Sequence, residues 1–414
     1  MDRRRIVLVA LWSAAFVAVV ALQGPKWLAR PHAPAVREAR GPVHTARDRA
    51  TSGARASAPQ AAVAEGPPSV FRGDRRHTGR SPFVGPVAPR VRFRYATGAR
   101  ISAQAVVGRD GRIVVASHDH FLHVLSADGS RLFRADLGAP SYATPYVDPE
   151  GRVYAGSDAR LLVALEPDGR ERYRLETSGE LDTGIVPGPD GTLHFAAGRE
   201  LWAVFPDGRV KYRYRAEGKI YTTPAIADDG TAYVGAQDDR LHAVTPEGLL
   251  RFAYATRGDV DASPAIADDG SIVFGSDDRH LHRVDARGAL VWSIDLGGMI
   301  RAPVALGRDG TVFVSVFGPR TRVVALALED GRIRWEFELG QAHSADVGVA
   351  SGVLVDRDGN LYVGAHDDYV YALTPDGRLR FAYETSGDVD ASPTLAPDGT
   401  LLVGGEDGYL HALR

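Results

Sequence analysis

The chain contains no cysteine. A disulfide-stapled fold, a cysteine-ligated metal and a lipid-modified N-terminal cysteine are thereby excluded. Lysine is confined to Lys26, Lys211 and Lys219, and asparagine to Asn360. The net charge of −3 excludes a nucleic-acid binder whose affinity comes from neutralising phosphates. No window of helical period is long enough to build a helical core, and no phosphate loop, nucleophile elbow or HExxH zinc motif occurs. Long apolar runs are missing with one exception. Ile6 to Leu22 is uncharged, interrupted only by Ser13, and follows Arg3, Arg4 and Arg5. A basic start before an apolar stretch is the pattern of a signal peptide or a single membrane anchor. Residues 1–23 are assigned that role.

Charge is unevenly divided. Residues 1–60 hold ten Lys/Arg against three Asp/Glu, leaving 39 against 49 for the remainder. Residues 24–70 are rich in Ala, Pro and Arg with too few aliphatic side chains to bury a core, so a disordered linker is expected there. If the N-terminal segment is retained, the protein is tethered to the inner membrane; if it is cleaved, the protein is secreted. Both routes give an extracytoplasmic location, in the periplasm or at the cell surface.

The rest of the chain is one unit repeated. Acidic-Gly dipeptides recur at Asp110-Gly111, Glu150-Gly151, Asp190-Gly191, Asp229-Gly230, Asp269-Gly270, Asp309-Gly310, Asp358-Gly359 and Asp398-Gly399, in steps of 40, 40, 39, 40, 40, 49 and 40 residues. A second turn, such as Asp128-Gly129 or Asp376-Gly377, follows each of the first seven. Acidic-Gly between apolar runs is a hairpin signal, because glycine accepts the positive φ of a tight turn. Short runs such as Tyr154-Ala155-Gly156 and Tyr362-Val363-Gly364 read as strands, four per unit. The fourth carries an aromatic residue: Phe93, Phe133, Tyr173, Tyr212, Phe252, Trp292, Trp335 and Phe381. One fourth-type strand, Val91 to Tyr95, is surplus at the start, and the last unit ends at Arg414 without its own. A ring in which the first strand completes the last sheet uses this offset and leaves no open edge between the ends. The expected fold over 71–414 is an all-β, eight-bladed propeller of four-stranded antiparallel blades.

These repeats, with Tyr362-Val363-Gly364-Ala365, Pro375-Asp376-Gly377 and the lead-in Phe71-Arg72-Gly73-Asp74 before His77-Thr78-Gly79, resemble the pyrroloquinoline-quinone-like propeller family over about 340 residues. The resemblance implies the fold. It is compatible with quinone-dependent dehydrogenases and with non-catalytic envelope scaffolds, and the chain is closer in character to the scaffolds. The enzymes' pattern of a vicinal cysteine pair and a calcium site with an Asn is missing, and their tryptophan docking is reduced to general aromatic packing. No cofactor and no metal is expected. The histidines His118, His120 and His123 read as packing rather than as a metal site.

Aligning the units on the first turn exposes positions that change character while the scaffold stays regular. Eight residues before each turn acid stand Ser102, Tyr142, Asp182, Tyr221, Asp261, Arg301, Ala350 and Asp390; two residues earlier stand Arg100, Pro140, Glu180, Lys219, Asp259, Met299, Gly348 and Asp388. These connections surround one mouth of a propeller's channel. Hairpins on the same face add Asp119, Asp158, Asp238, Asp239, Asp277, Asp278, Asp367, Asp368, Glu406 and Asp407, read mainly as turn caps. The expected function is non-catalytic binding of an envelope protein, or a glycan, by an acidic, Tyr-containing funnel; the alternative is a quinone- or metal-dependent oxidoreductase. The candidate partner-binding residues are Tyr142, Asp182, Tyr221, Asp261, Arg301, Asp390, Glu180, Lys219, Asp259 and Asp388. The excess residues of the 49-residue step fall near Phe317-Gly318-Pro319-Arg320 and in 341–352, where His343, Ser344 and Asp346 are placed to overhang the funnel.

Overall fold

The computed structural model describes residues 69–318, 321–340 and 351–414, with the backbone of 36–37. The expected signal or anchor, nearly all of the expected linker, and residues 319–320 and 341–350, including His343, Ser344, Asp346, Gly348 and Ala350, lie outside the described residues. Among the described residues no helix is long and apolar enough to cross a membrane.

Eight antiparallel sheets follow one another along the chain. Blade 1 runs outward through Val106–Val107, Ile113–Ala116, Phe121–Leu125 and Arg131–Asp136, and blades 2 to 7 repeat this order. Blade 8 takes Thr394–Leu395, Leu401–Gly404 and Tyr409–Leu413 from the C-terminus and its outermost strand, Val91–Ala96, from the start of the propeller. There Phe93 faces Ala412 and Tyr95 faces Leu410. The ring is therefore closed as the offset required. Val36–Arg37 adds a fifth strand outside blade 7.

Burial follows position in the blade. Second strands are buried throughout, as at Val153–Ser157, third strands are buried beyond their first residue except at Tyr371, and outermost strands are the most exposed, alternating at Glu171–Glu176. The strand-ending glycines are packing sites. A Cβ at Gly275 would lie 2.1 Å from Ile300 Cγ2, and one at Gly404 2.3 Å from Ile101 Cγ2. Each thus leaves room for an apolar anchor from the connection into the following blade. The fourth-strand aromatics reach across the seams too. Phe93 lies on the turn glycine Gly129 and Trp335 on Gly377, each within 2.6 Å of where a Cβ would stand. The indole N–H groups of Trp292 and Trp335 donate to the carbonyls of Leu328 and Pro375 at 2.8 and 3.0 Å. The aromatic packing is thus specific docking on the next blade's turn, with tryptophan adding one hydrogen bond that Phe and Tyr cannot.

Every outermost strand is bulged just before or at its aromatic position. A bulge re-aims the unpaired residue. In blades 8, 3, 4 and 6 a cation there, Arg92, Lys211, Arg251 or Arg334, pairs with the first-turn acid of its own blade, Asp398, Asp190, Asp229 or Asp309. Burial alone would raise the Asp190 carboxyl, but the Lys211 ammonium and the Thr192 N–H hold it down at about 2.

The lead-in is a hub. Carbonyls of Ser69, Arg75, Arg76, Thr78 and Gly79 accept the N–H groups of Val147, Ile226, Ile266, Leu306 and Val355, on the innermost strands of blades 2, 4, 5, 6 and 7. The Gln104 side chain of blade 1 accepts the Arg72 N–H at 3.0 Å. The segment thus crosses the channel next to the first turns, on the face here called lower, and satisfies donors that innermost strands would otherwise leave unpaired.

Candidate functional site

The opposite, upper face carries the connections between blades and the hairpins between second and third strands. A recurring hydrogen bond helps to position each of the seven described connections. The N–H groups of His118, Asp158, Gly198, Gln237, Asp277, Phe317 and Glu406 donate to the carbonyls of Arg100, Pro140, Glu180, Lys219, Asp259, Met299 and Asp388. The brackets fix the backbone and leave the side chains free to differ. Between two polar side chains sits a buried anchor, such as Ile101, Leu181, Val260 or Val389.

Three clusters and one histidine–aspartate pair result around the rim. Arg100 donates to Glu406 at 3.0 Å, to His118 Nδ1 at 2.9 Å and to the Tyr142 hydroxyl at 3.1 Å, tying blades 8, 1 and 2 together. Lys219 Nζ lies 2.9 Å from Glu180, 3.7 Å from Asp182 and 4.4 Å from the centre of the Tyr221 ring. Beside it the Asp158 carboxyl is pushed up to about 7, first by burial and then by its hydrogen bond with Asp182 and that group's charge. Between blades 5 and 6 Arg301 grips Asp277 with both Nε and Nη2, at 2.9 and 2.6 Å. Oxygens of Asp259, Asp261 and Asp277 lie within 4.8 Å of one another there. Burial and the mutual repulsion of these carboxylates raise the Asp259 and Asp261 carboxyls. Further round, Asp390 Oδ1 stands 2.6 Å from His366 Nε2. Burial would lower the imidazole's pKa, but Asp390 reverses that and raises it.

Nine of the ten sequence-selected residues thus have side chains in these contacts. The tenth, Asp388, bonds Glu406 through its carbonyl, and its charge acts on His366 and Glu406. Eight of the ten hairpin acids fall at two positions, while Asp239 and Asp368 take the positive-φ place in their turns, at 61° and 68°. Asp158, Asp277 and Glu406 belong to the funnel, together with His118, Gln237 and His366. Asp119, Asp238, Asp278, Asp367 and Asp407, one residue later, are structural. Sequence reasoning grouped the acids and left out Gln237 and His366. The available signal was their place immediately before the structural Asp.

That Asp anchors a relay across a seam. Asp119 receives the Gly98 N–H at 2.9 Å and faces His123 Nε2 at 3.0 Å, while His123 Nδ1 meets the Tyr95 hydroxyl at 2.9 Å. Asp238, His242 and Tyr214 repeat it, as do Asp278, His282 and Tyr254, and Asp407, His411 and Tyr383. In blade 7 Tyr371 replaces the histidine and donates to Asp367 at 2.6 Å. The recurring His is therefore a staple between blades, which accounts for His123 without a metal.

A quinone does not fit these residues. Besides the missing cysteines, Asn360 lies on a lower-face turn of blade 7, where its Nδ2 donates to Asp356 at 3.0 and 3.2 Å, far in the fold from the funnel acids. The channel at that end is occupied by the hub.

Comparison with known proteins finds both BamB and dehydrogenases with this fold. No curated protein matches the sequence. BamB from Moraxella catarrhalis is 17% identical with a TM-score of 0.65, over 79% of this chain and 99% of that one. The quinohemoprotein alcohol dehydrogenase of Comamonas testosteroni is 13% identical with a TM-score of 0.72, over 84% of this chain and 80% of that one. A europium-containing methanol dehydrogenase is 12% identical with a TM-score of 0.69, over 83% and 91%. At these identities the likeness is one of fold. The sequence itself matches a single family description in three stretches, 78–190, 190–346 and 320–414, which together span the blades. The chain therefore belongs to the family described as outer membrane protein assembly factor BamB.

Proposed function

We propose that the protein is a non-catalytic scaffold of the bacterial cell envelope that recognises an envelope protein through the upper-face funnel. The carrying observation is the bracket geometry: a constant backbone ring presents side chains that differ from blade to blade. Such a surface suits recognition of one asymmetric partner. Tyr142 and Tyr221 are 40% and 39% exposed on a rim rich in charged side chains, and exposed aromatics are the side chains that carry interface energy. The excess of carboxylates favours a partner segment bearing Arg or Lys. The family description, outer membrane protein assembly, supports an envelope location, and the basic-apolar N-terminus supports export.

Affinity purification from envelope extracts tests this. The wild-type chain is expected to retain a specific protein. Joint reversal at Asp182, Asp261 and Asp390 to Arg is expected to release it while the melting temperature stays high. Retention of the same protein by the folded triple variant removes the funnel from the account. Turnover of alcohols after reconstitution with quinone and calcium contradicts the non-catalytic assignment.

A further inference from the structure

Arg72 is 1% exposed, at the centre of the hub. Its Nη2 donates to the carbonyls of Val304 and Val353, on blades 6 and 7. Its Nε and Nη1 are buried and have no partner. No carboxylate forms an ion pair with it among the described residues. The nearest candidate in sequence, Asp74, is committed elsewhere: it accepts the N–H groups of Arg76 and Thr78 at 2.9 and 3.2 Å and the Thr78 hydroxyl.

The site is shaped around this guanidinium. A Cβ at Gly79 would lie 2.2 Å from Nη2, and one at Gly352 would lie 2.6 Å from Nη1. Arg72 itself has a φ of 58°, a conformation that non-glycine residues adopt at a cost. The hub thus accepts backbone strain and two unsubstituted positions in order to hold a cation out of water. His77, 0% exposed in the same hub, donates its Nδ1–H to the Pro264 carbonyl at 3.0 Å, which leaves its Nε2 an acceptor and Arg72 the only one of the two that can hold an anion.

A guanidinium does not escape burial by losing its proton under ordinary conditions. Two backbone carbonyls offer dipoles and no countercharge, and the Asp74 carboxylate acts on the cation by its charge without bonding it. A buried charge without a counterion is strongly unfavourable, and an anion is what its unpaired N–H groups lack. We propose that the hub binds one small monovalent anion, of the halide class, held by Arg72 Nε and Nη1 between the innermost strands of blades 6 and 7. The anion joins the lead-in to two blades and contributes to ring stability. This is independent of the funnel, which lies on the other face.

The test uses the full chain and bromide. Crystals grown or soaked in bromide are expected to show an anomalous peak within hydrogen-bonding distance of Arg72 Nη1. At constant ionic strength, replacing gluconate with bromide is expected to raise the melting temperature by about 3 °C, and Arg72→Met is expected to abolish that rise. If the variant does not fold, the wild-type melting series and the diffraction experiment decide. A map with water, or with no peak, beside Arg72 overturns the proposal. So does a wild-type melting temperature indifferent to the anion.

Discussion

At the residue scale, two kinds of glycine hold the blades together. Those that end second strands were visible in the sequence only as strand boundaries, because one chain shows a repeated small residue and not the neighbour that needs the space. Gly275→Val places a side chain where Ile300 stands and is expected to destabilise the protein by about 3 kcal/mol, read as a fall in unfolding midpoint with denaturant. Aspartates, by contrast, are hard to sort by type. Asp277 and Asp278 are adjacent and chemically identical, yet one meets Arg301 and the other caps a backbone turn and a histidine. The sign of their titration follows from place. Burial would raise the Asp119, Asp278 and Asp407 carboxyls, but their histidine and N–H partners lower them instead. Burial lowers His123 and His282 despite those same aspartates. The histidines bind protons more readily when unfolded, so stability falls as pH drops below about 6.5, and the aspartates add to the loss below about 4. Melting temperatures measured from neutral to acid pH check this. Asp158 has the opposite sign. Its raised folded pKa makes it a group whose contribution is lost as pH rises towards 7. Asp158→Asn is expected to raise the melting temperature at about pH 8 more than at about pH 5.

Element-scale features were readable where they depend on period. Turn spacing, strand count and the unequal ends led to eight blades and a strand supplied from the N-terminal side. The hub was not readable as a hub. Phe71 to Gly79 has no periodicity, since each residue answers to a different blade, and such a segment looks like a motif without a place. The bulged cations were equally hidden, because a one-residue bulge does not change the aromatic spacing. Closure by Val91–Ala96 is noncovalent and depends on its ladder to Tyr409–Leu413. Tyr95→Pro removes the backbone donor that faces Leu410 and is expected to cost about 3 kcal/mol or more. A comparable proline at Leu175, in an outermost strand joined directly to its own blade, is expected to leave the ring closed. Limited proteolysis distinguishes them: Tyr95→Pro releases fragments from both chain ends, and Leu175→Pro does not.

For the whole molecule, two faces have separate work. The lower face is filled by the hub and joins seven blades by hydrogen bonds or close packing. The upper face is open and varied, with its polar side chains held on buried anchors. The funnel's position was readable from alignment of the repeats; its grouping into charge clusters was not, since which rim side chains meet depends on reach across a seam. Site-directed photocrosslinking in envelope preparations tests the central claim most directly, because it reports which face meets a partner. The account predicts that a crosslinker at Tyr142 or Tyr221 captures the same protein, while one at Leu132 or Leu249, exposed on the outer strand and lower turns, does not. Capture from Leu132 and Leu249 with none from Tyr142 and Tyr221 contradicts it.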